Sequence, residues 1–190
     1  MVSELLVLIS GKQGSGKTTT SVRLEQMLYA KMINTKVFKF AGVLYEIHNT
    51  VIDIVGKYYP LPKTPQKSLL QLIGTEWGRL QVDNDIWVKI TQAKLGEWLG
   101  LSEKPCVAII DDCRFQNEFL IDVKNKLTVR LECNEIIRQA RCEAWRNNTE
   151  HPSETSLDKF ADQGEFDLFY DTGLYSVESI AGDILRNILK

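Results

Sequence analysis

The sequence predicts an α/β protein: a parallel sheet of about five strands with helices on both faces. Three observations carry this. Short apolar runs alternate with helix-period segments along the chain. Most of the runs are continuous, as expected for strands covered on both sides, while 127–132 alternates. The 190 residues are 44% hydrophobic and 25% charged, ordinary proportions for a globular chain with one sizeable core.

The first strand is residues 5 to 10, "LLVLIS", and the next is 36 to 40, "KVFKF". Further strands are read at 105 to 111, "PCVAIID", at 127 to 132, "LTVRLE", and at 166 to 170, "FDLFY". Helical spacing of apolar residues runs over 17–32, where Val22, Leu24, Met27, Leu28 and Met32 recur near one face. It recurs over 42–55, 67–80, 85–99, 117–126, 134–147 and 176–189. Between the second and third strands lies an excursion, 42 to 104, too long for one crossover helix. Its loop "YYPLPKTPQ" carries Pro60, Pro62 and Pro65, which forbid regular helix. Residues 42–100 are read as a helical insertion over one end of the sheet, within a single domain spanning 1–190.

Net charge is −2, so overall charge draws the chain to neither polymeric nucleic acid nor a membrane. The apolar run 5–9 is too short for a signal segment or a membrane span. Cys106, Cys113, Cys133 and Cys142 form no C-x-x-C pair, and His48 and His151 stand far apart. Free thiols in a reducing cytoplasm are expected, not a zinc site.

The chemistry is concentrated in "GKQGSGKT", Gly11 to Thr18, which fits G-x-x-x-x-G-K-T/S at every fixed position. An apolar strand precedes it and a helical pattern follows, the context in which this loop wraps phosphates. Glycines let backbone N–H groups approach an anion closely, and the helix dipole points at the same place. Gly11, Gln13, Gly14, Ser15, Gly16, Lys17, Thr18 and Thr19 are the expected nucleotide-binding residues. Lys17 supplies a mobile charge for the β- and γ-phosphates, and the Thr18 hydroxyl is a ligand for Mg²⁺. The expected ligand is therefore a nucleoside triphosphate, with Mg²⁺.

"VAIIDDCRF" places Asp111, Asp112 and Arg114 at the end of a buried strand. An acid there can hold Mg²⁺ through water. Asp111 is preferred because it ends the apolar run, with Asp112 a close rival. A GTPase would need D-x-x-G after a strand and N-K-x-D late in the chain. Asp53 to Gly56 falls inside a helical pattern, and Asn125 to Thr128 lacks the final Asp. A small-molecule kinase needs further cations for a second phosphate, and arginine forks suit that task. Arg138 and Arg141 lie one turn apart on a helix, so they share a face. Arg79 stands beside Trp77, where it could clamp a phosphate while the ring packs a base, or form a structural cation–π pair.

"LLQLIGTEWGR" (69–79), "DIWV" (85–88), "IIDDCRFQNE" (109–118) and "HPSET" (151–155), together with the glycine loop, resemble the bacteriophage deoxynucleoside monophosphate kinases. These have the P-loop nucleoside monophosphate kinase fold. The resemblance covers roughly residues 5 to 175. It implies transfer of the γ-phosphoryl of ATP to a deoxynucleoside 5′-monophosphate. It also implies catalytic roles for Lys17, Arg79, Arg114, Arg138 and Arg141, with Arg79 and Arg114 on the acceptor phosphate. Phe40, Trp77, Trp87 and Asp112 would join those two arginines around the acceptor. The insertion 42–100 would bind the acceptor, and 134–155 would form a lid. A homodimer is compatible with the family, and the location would be the host cell's cytoplasm. The family's lid arginines usually step by four; here the step is three. The competing expectations are a P-loop kinase for another small phosphorylated metabolite, and a nucleotide-binding regulator or ATPase subunit lacking internal arginines for a second phosphate.

Overall fold

The computed structural model describes residues 3–62, 65–142 and 152–190. Its centre is strand β1 (Glu4–Ser10). The strand's two-residue period sends Leu5, Val7 and Ile9 to one apolar cluster and Leu6 and Leu8 to the other. Both faces are therefore covered, which is why the strand reads as one apolar run.

Five strands form the sheet in the order β2-β3-β1-β4-β5. The other four are β2 (Asn34–Phe38), β3 (Cys106–Cys113), β4 (Lys126–Glu132) and β5 (Leu168–Asp171). Every pairing is parallel. The expected α/β architecture stands, with small shifts of the strand ends. Just beyond the end of β2 at Phe38, the Phe40 and Ala41 N–H groups bond the Asp112 carboxylate instead of a strand.

On one face lie α1 (Lys17–Ala30) and α9 (Val177–Leu189). Leu24, Leu28, Ile180, Ile184 and Ile188 close the core there. α4 (Ile86–Leu101) covers the other face and supplies Val88 and Leu95 to its cluster. Burial of such side chains stabilises by roughly 1.5–3 kcal/mol each. α4 falls within the insertion read over 42–100, and its apolar face packs on the sheet as part of its cover. What projects further is α2 (Gly42–Gly56), α3 (Lys67–Gln71) and a π-helix (Leu72–Val82).

The π-helix replaces the second half of the helix expected over 67–80. Its last bond runs from the Asp83 N–H to the Gly78 carbonyl. Trp87 explains part of this geometry. Its indole N–H donates to the Gly74 carbonyl at 2.8 Å, and a Cβ on Gly78 would stand 2.6 Å from its ring. The helix expected over 117–126 contracts to α5 (Gln116–Phe119). Glu118 turns its side chain back to the N–H groups of Arg114 and Phe115, and Ile121 drops into the core. The helix expected over 134–147 is α6 (Glu135–Arg141), which ends at an extended Cys142. Short helices α7 (Pro152–Thr155) and α8 (Asp158–Asp162) follow. His151 and the stretch of the expected lid over 143–151 lie outside the described residues. All four cysteines are free, and among the described residues no helix is long and apolar enough to cross a membrane.

Candidate functional site

β1 has β3 on one side and β4 on the other, and the chain crosses between these two sides after β3. The carboxyl ends of strands at such a reversal form a crevice suited to ligands. The glycine loop stands there. Gly14 and Gly16 have φ of +75° and +89°, in the left-handed region that glycine adopts without penalty. Gly14 has a second constraint: a Cβ on it would stand 2.7 Å from the Arg138 carbonyl. A Cβ on Gly16 would meet nothing within 4 Å, so its backbone faces open space.

Lys17 is 8% exposed and bends back on its own loop. Its Nζ donates to the carbonyls of Gly11 at 2.6 Å and Lys12 at 2.8 Å. Burial lowers its pKa to about 7, Arg114 and Arg130 push the same way, and Glu154 and Asp111 oppose them. A neutral amine has two N–H donors, and two carbonyls accept them.

Glu154, on α7, accepts the backbone N–H of Gln13 at 2.7 Å through one carboxylate oxygen. Its other oxygen accepts from Arg114 Nη1 at 2.5 Å. A single anion thus spans a loop amide and an arginine guanidinium. Lys12 pairs with Asp158 on α8 at 2.7 Å, and Asp158 also takes Arg130 Nη2 at 2.8 Å.

Asp111 is 2% exposed and lies beside the loop helix. Ser21 Oγ donates to one carboxylate oxygen at 2.8 Å, and Lys39 Nζ to the other at 2.5 Å. The Asp111 carboxylate and the exposed Thr18 are oxygen donors of the kind that suits Mg²⁺, which binds through one or two protein oxygens together with substrate phosphates; Ser21 links the two, its Oγ donating to the Thr18 carbonyl at 3.0 Å as well as to Asp111. The Lys39 ammonium already puts a cation on Asp111. Among the described residues no group of three or more potential metal ligands gathers.

Asp112 does other work. Both its oxygens accept backbone N–H groups, from Phe40 at 2.9 Å and Ala41 at 3.0 Å, bracing the turn into α2. Burial raises its pKa against the pull of those two bonds and Lys39. Phe40, expected against the acceptor, is a core residue at 3% exposure. Trp87, expected in the same pocket, is likewise 3% exposed and holds the π-helix in place. Both rings are thus packed into the fold as well as adjoining the expected acceptor region. Trp77 remains 44% exposed.

Arg79 does not stack on Trp77. Its guanidinium lies 4.5 Å from the centroid of the Phe115 ring and donates to Glu118 Oε1 at 2.9 Å. Glu118 Oε2 accepts the N–H of Arg114 at 2.8 Å and of Phe115 at 3.1 Å. One buried carboxylate therefore ties Arg79 to the turn bearing Arg114. Burial raises the Glu118 carboxyl to about 7 despite those backbone bonds and the Arg79 charge.

Of the pair expected on the lid, Arg138 is buried and Arg141 stays exposed, and both bond the body of the fold. Arg138 is 6% exposed, donating to the carbonyls of Cys133 and Gln13, both at 3.1 Å. It buttresses the glycine loop from outside. Arg141 donates to Thr172 Oγ1 and to the Thr172 carbonyl, both at 2.9 Å, and joins α6 to the turn after β5. The three-residue step brings both arginines back onto the body of the fold.

The sequence reasoning passed over Glu118, Lys39, Arg130 and Asp158. Arg130 carried a signal, a cation inside an alternating strand; it is 2% exposed and also bonds Ser10 Oγ at 3.2 Å. Glu118 was visible only as the last letter of "DDCRFQNE", and the others gave no local sign.

A glycine loop between β1 and α1, beside an acid-tipped β3 in an all-parallel sheet, defines a P-loop protein with the kinase fold. The chain belongs to the AAA domain family, whose model matches residues 7–160. No curated protein matches it. Solved structures share the architecture over nearly the whole chain. A Mycobacterium tuberculosis APS kinase, CysC, in complex with AMPPNP and APS is 12% identical, with TM-score 0.58 and 100% of both chains covered. A Thermus thermophilus protein, TT1252, is 16% identical, with TM-score 0.59, covering 99% of this chain and 97% of that one. An Acinetobacter baumannii shikimate kinase in complex with shikimate is 15% identical, with TM-score 0.51, covering 100% and 94%. At these identities the likeness establishes the fold. Membership of the deoxynucleoside monophosphate kinases is not among these matches.

Proposed function

We propose that the chain is a phosphotransferase that moves the γ-phosphoryl of ATP to a deoxynucleoside 5′-monophosphate, giving the diphosphate and ADP. The observation that carries this is the Glu154 carboxylate, which touches a loop amide and the Arg114 guanidinium at once. A group of that charge and size marks the junction between a donor cradle and a second cation. An acceptor phosphate held by Arg114 there would face a γ-phosphoryl held by the loop.

In this scheme the loop N–H groups and Lys17 hold the triphosphate. Thr18 and Asp111 would hold Mg²⁺, which when bound neutralises charge on the β- and γ-phosphates. Arg114 grips the acceptor phosphate, and Arg79, fixed by Phe115 and Glu118, is the second cation on the acceptor side. The exposed Trp77 face is available to a base. No nucleophilic side chain is needed, because the acceptor is already an anion. The reaction rests on alignment and charge cancellation. Arg138 and Arg141 support the loop and the β5–α9 turn around it.

The shikimate kinase neighbour favours one other acceptor class, a non-nucleotide metabolite, with the same donor site. A panel of deoxynucleoside and nucleoside monophosphates with ATP and Mg²⁺, read as diphosphate formation, separates the two. Arg79→Ala is expected to raise KM for the monophosphate at least tenfold and leave KM for ATP within about twofold. Turnover with a non-nucleotide acceptor and none with any monophosphate would overturn the acceptor assignment.

A further inference from the structure

Glu154 sits where a phosphate is expected, and nothing in the phosphoryl-transfer scheme uses it. Its carboxylate is the anion in an anion cradle: 2.7 Å from the Gln13 N–H and 2.5 Å from Arg114 Nη1, with its side chain 11% exposed. It also lies near enough to Lys17 to raise that amine's pKa against the effect of burial. Its attachment to the fold is one-sided. Three residues later Leu157 is 2% exposed in the core, and Phe160 packs edge-on against Phe119 with centroids 5.0 Å apart. Asp158 is clamped by Lys12 and Arg130. Towards the core, then, α8 is bolted down, whereas the described contacts of Glu154 itself are with the two groups that a phosphate would claim.

We infer that Glu154 is an internal competitor for phosphate: its carboxylate holds the cradle and Arg114 until a nucleotide displaces it. One N–H cannot donate fully to two anions, and two anions cannot share the cradle without repulsion. A triphosphate that enters must therefore expel the carboxylate, and expulsion frees Arg114 as well. Donor binding in this way prepares the arginine assigned to the acceptor. The inference rests on the nucleotide assignment made for the glycine loop, and it adds that the free protein carries its own brake on that site.

The test measures ADP affinity by titration calorimetry on the full chain, so that no acceptor chemistry enters. Glu154→Gln keeps the shape and removes the charge, and Glu154→Ala removes both. Each variant is expected to bind ADP about tenfold more tightly than the wild type, with thermal unfolding first confirming that it is folded. That size follows from a charge-assisted hydrogen bond no longer competing. Pyrophosphate should show the same gain, because the competition concerns the anion and not the base. Equal or weaker binding by both variants would overturn the competitor role and leave the nucleotide assignment intact. A wild type and variants that all fail to bind ADP would overturn both.

Discussion

Lys17 offers the most direct test of how the site is charged. The amine is buried and its pKa is lowered to about 7, with burial the largest cause and Arg114 next. At about pH 8 a group of that pKa is roughly nine-tenths neutral. A phosphate against the amine favours the charged form, so binding should restore a high pKa and draw a proton from solution. The expected uptake is about 0.9 proton per nucleotide at that pH. Calorimetric titration with ADP in buffers of different ionisation enthalpy reads this number as the slope of observed enthalpy against buffer enthalpy. At this pH the nucleotide's own phosphates are essentially fully ionised and contribute little. Lys17→Met has no amine to titrate, so its slope should approach zero. A flat slope for the wild type, or an unchanged one in Lys17→Met, would refute the assignment. The same shift has a signed effect on folding. Between pH values of about 7 and 10.5 the unfolded chain holds a proton that the folded chain lacks, so the Lys17 contribution makes stability rise with pH there.

Gly14→Ala should leave the fold intact but lower ADP affinity at least tenfold by titration calorimetry. A Cβ there forces a left-handed alanine and stands 2.7 Å from the Arg138 carbonyl, so the loop must shift; wild-type affinity would contradict this. Glu118 has its carboxyl raised to about 7, so the folded protein holds more protons than the unfolded between pH values of about 4.5 and 7. Its contribution to stability therefore falls as pH rises through that window and stays low above it. Urea unfolding of wild type and Glu118→Gln at about pH 5 and pH 8 should show the wild type losing ground to the variant at the higher pH. A constant gap would show that the carboxyl does not titrate in that range.

Much of the fold was legible because it is written locally. β1, its glycine loop and α1 follow one another without a break, and each signal lies within a few residues of its neighbour. The paired faces of β1 follow from the two-residue period of a strand, and the mostly continuous apolar runs pointed to a parallel sheet, although 127–132 alternates. Expectations failed where a side chain found a distant partner. The helix expected over 117–126 stops at Phe119 and the chain turns to bury Ile121 in the core, and the helix expected over 67–80 changes pitch where Trp87 reaches the Gly74 carbonyl. Distant partners also fix side chains in the site. Arg79 chose Phe115 over its neighbour Trp77, and Asp112 spent both oxygens on the turn after β2.

The amino-acid sequence by itself determined the anion cradle, the acid at the end of β3 and the supply of arginines. Dihedral freedom, helix dipole and charge are properties of residues adjacent in the chain. Tertiary structure alone decided which arginine meets which anion. Gln13 and Glu154 stand 141 residues apart, and Arg79 and Glu118 stand 39 apart. Contacts at such separations exist only once the sheet has ordered its strands, and no local pattern of residues records them.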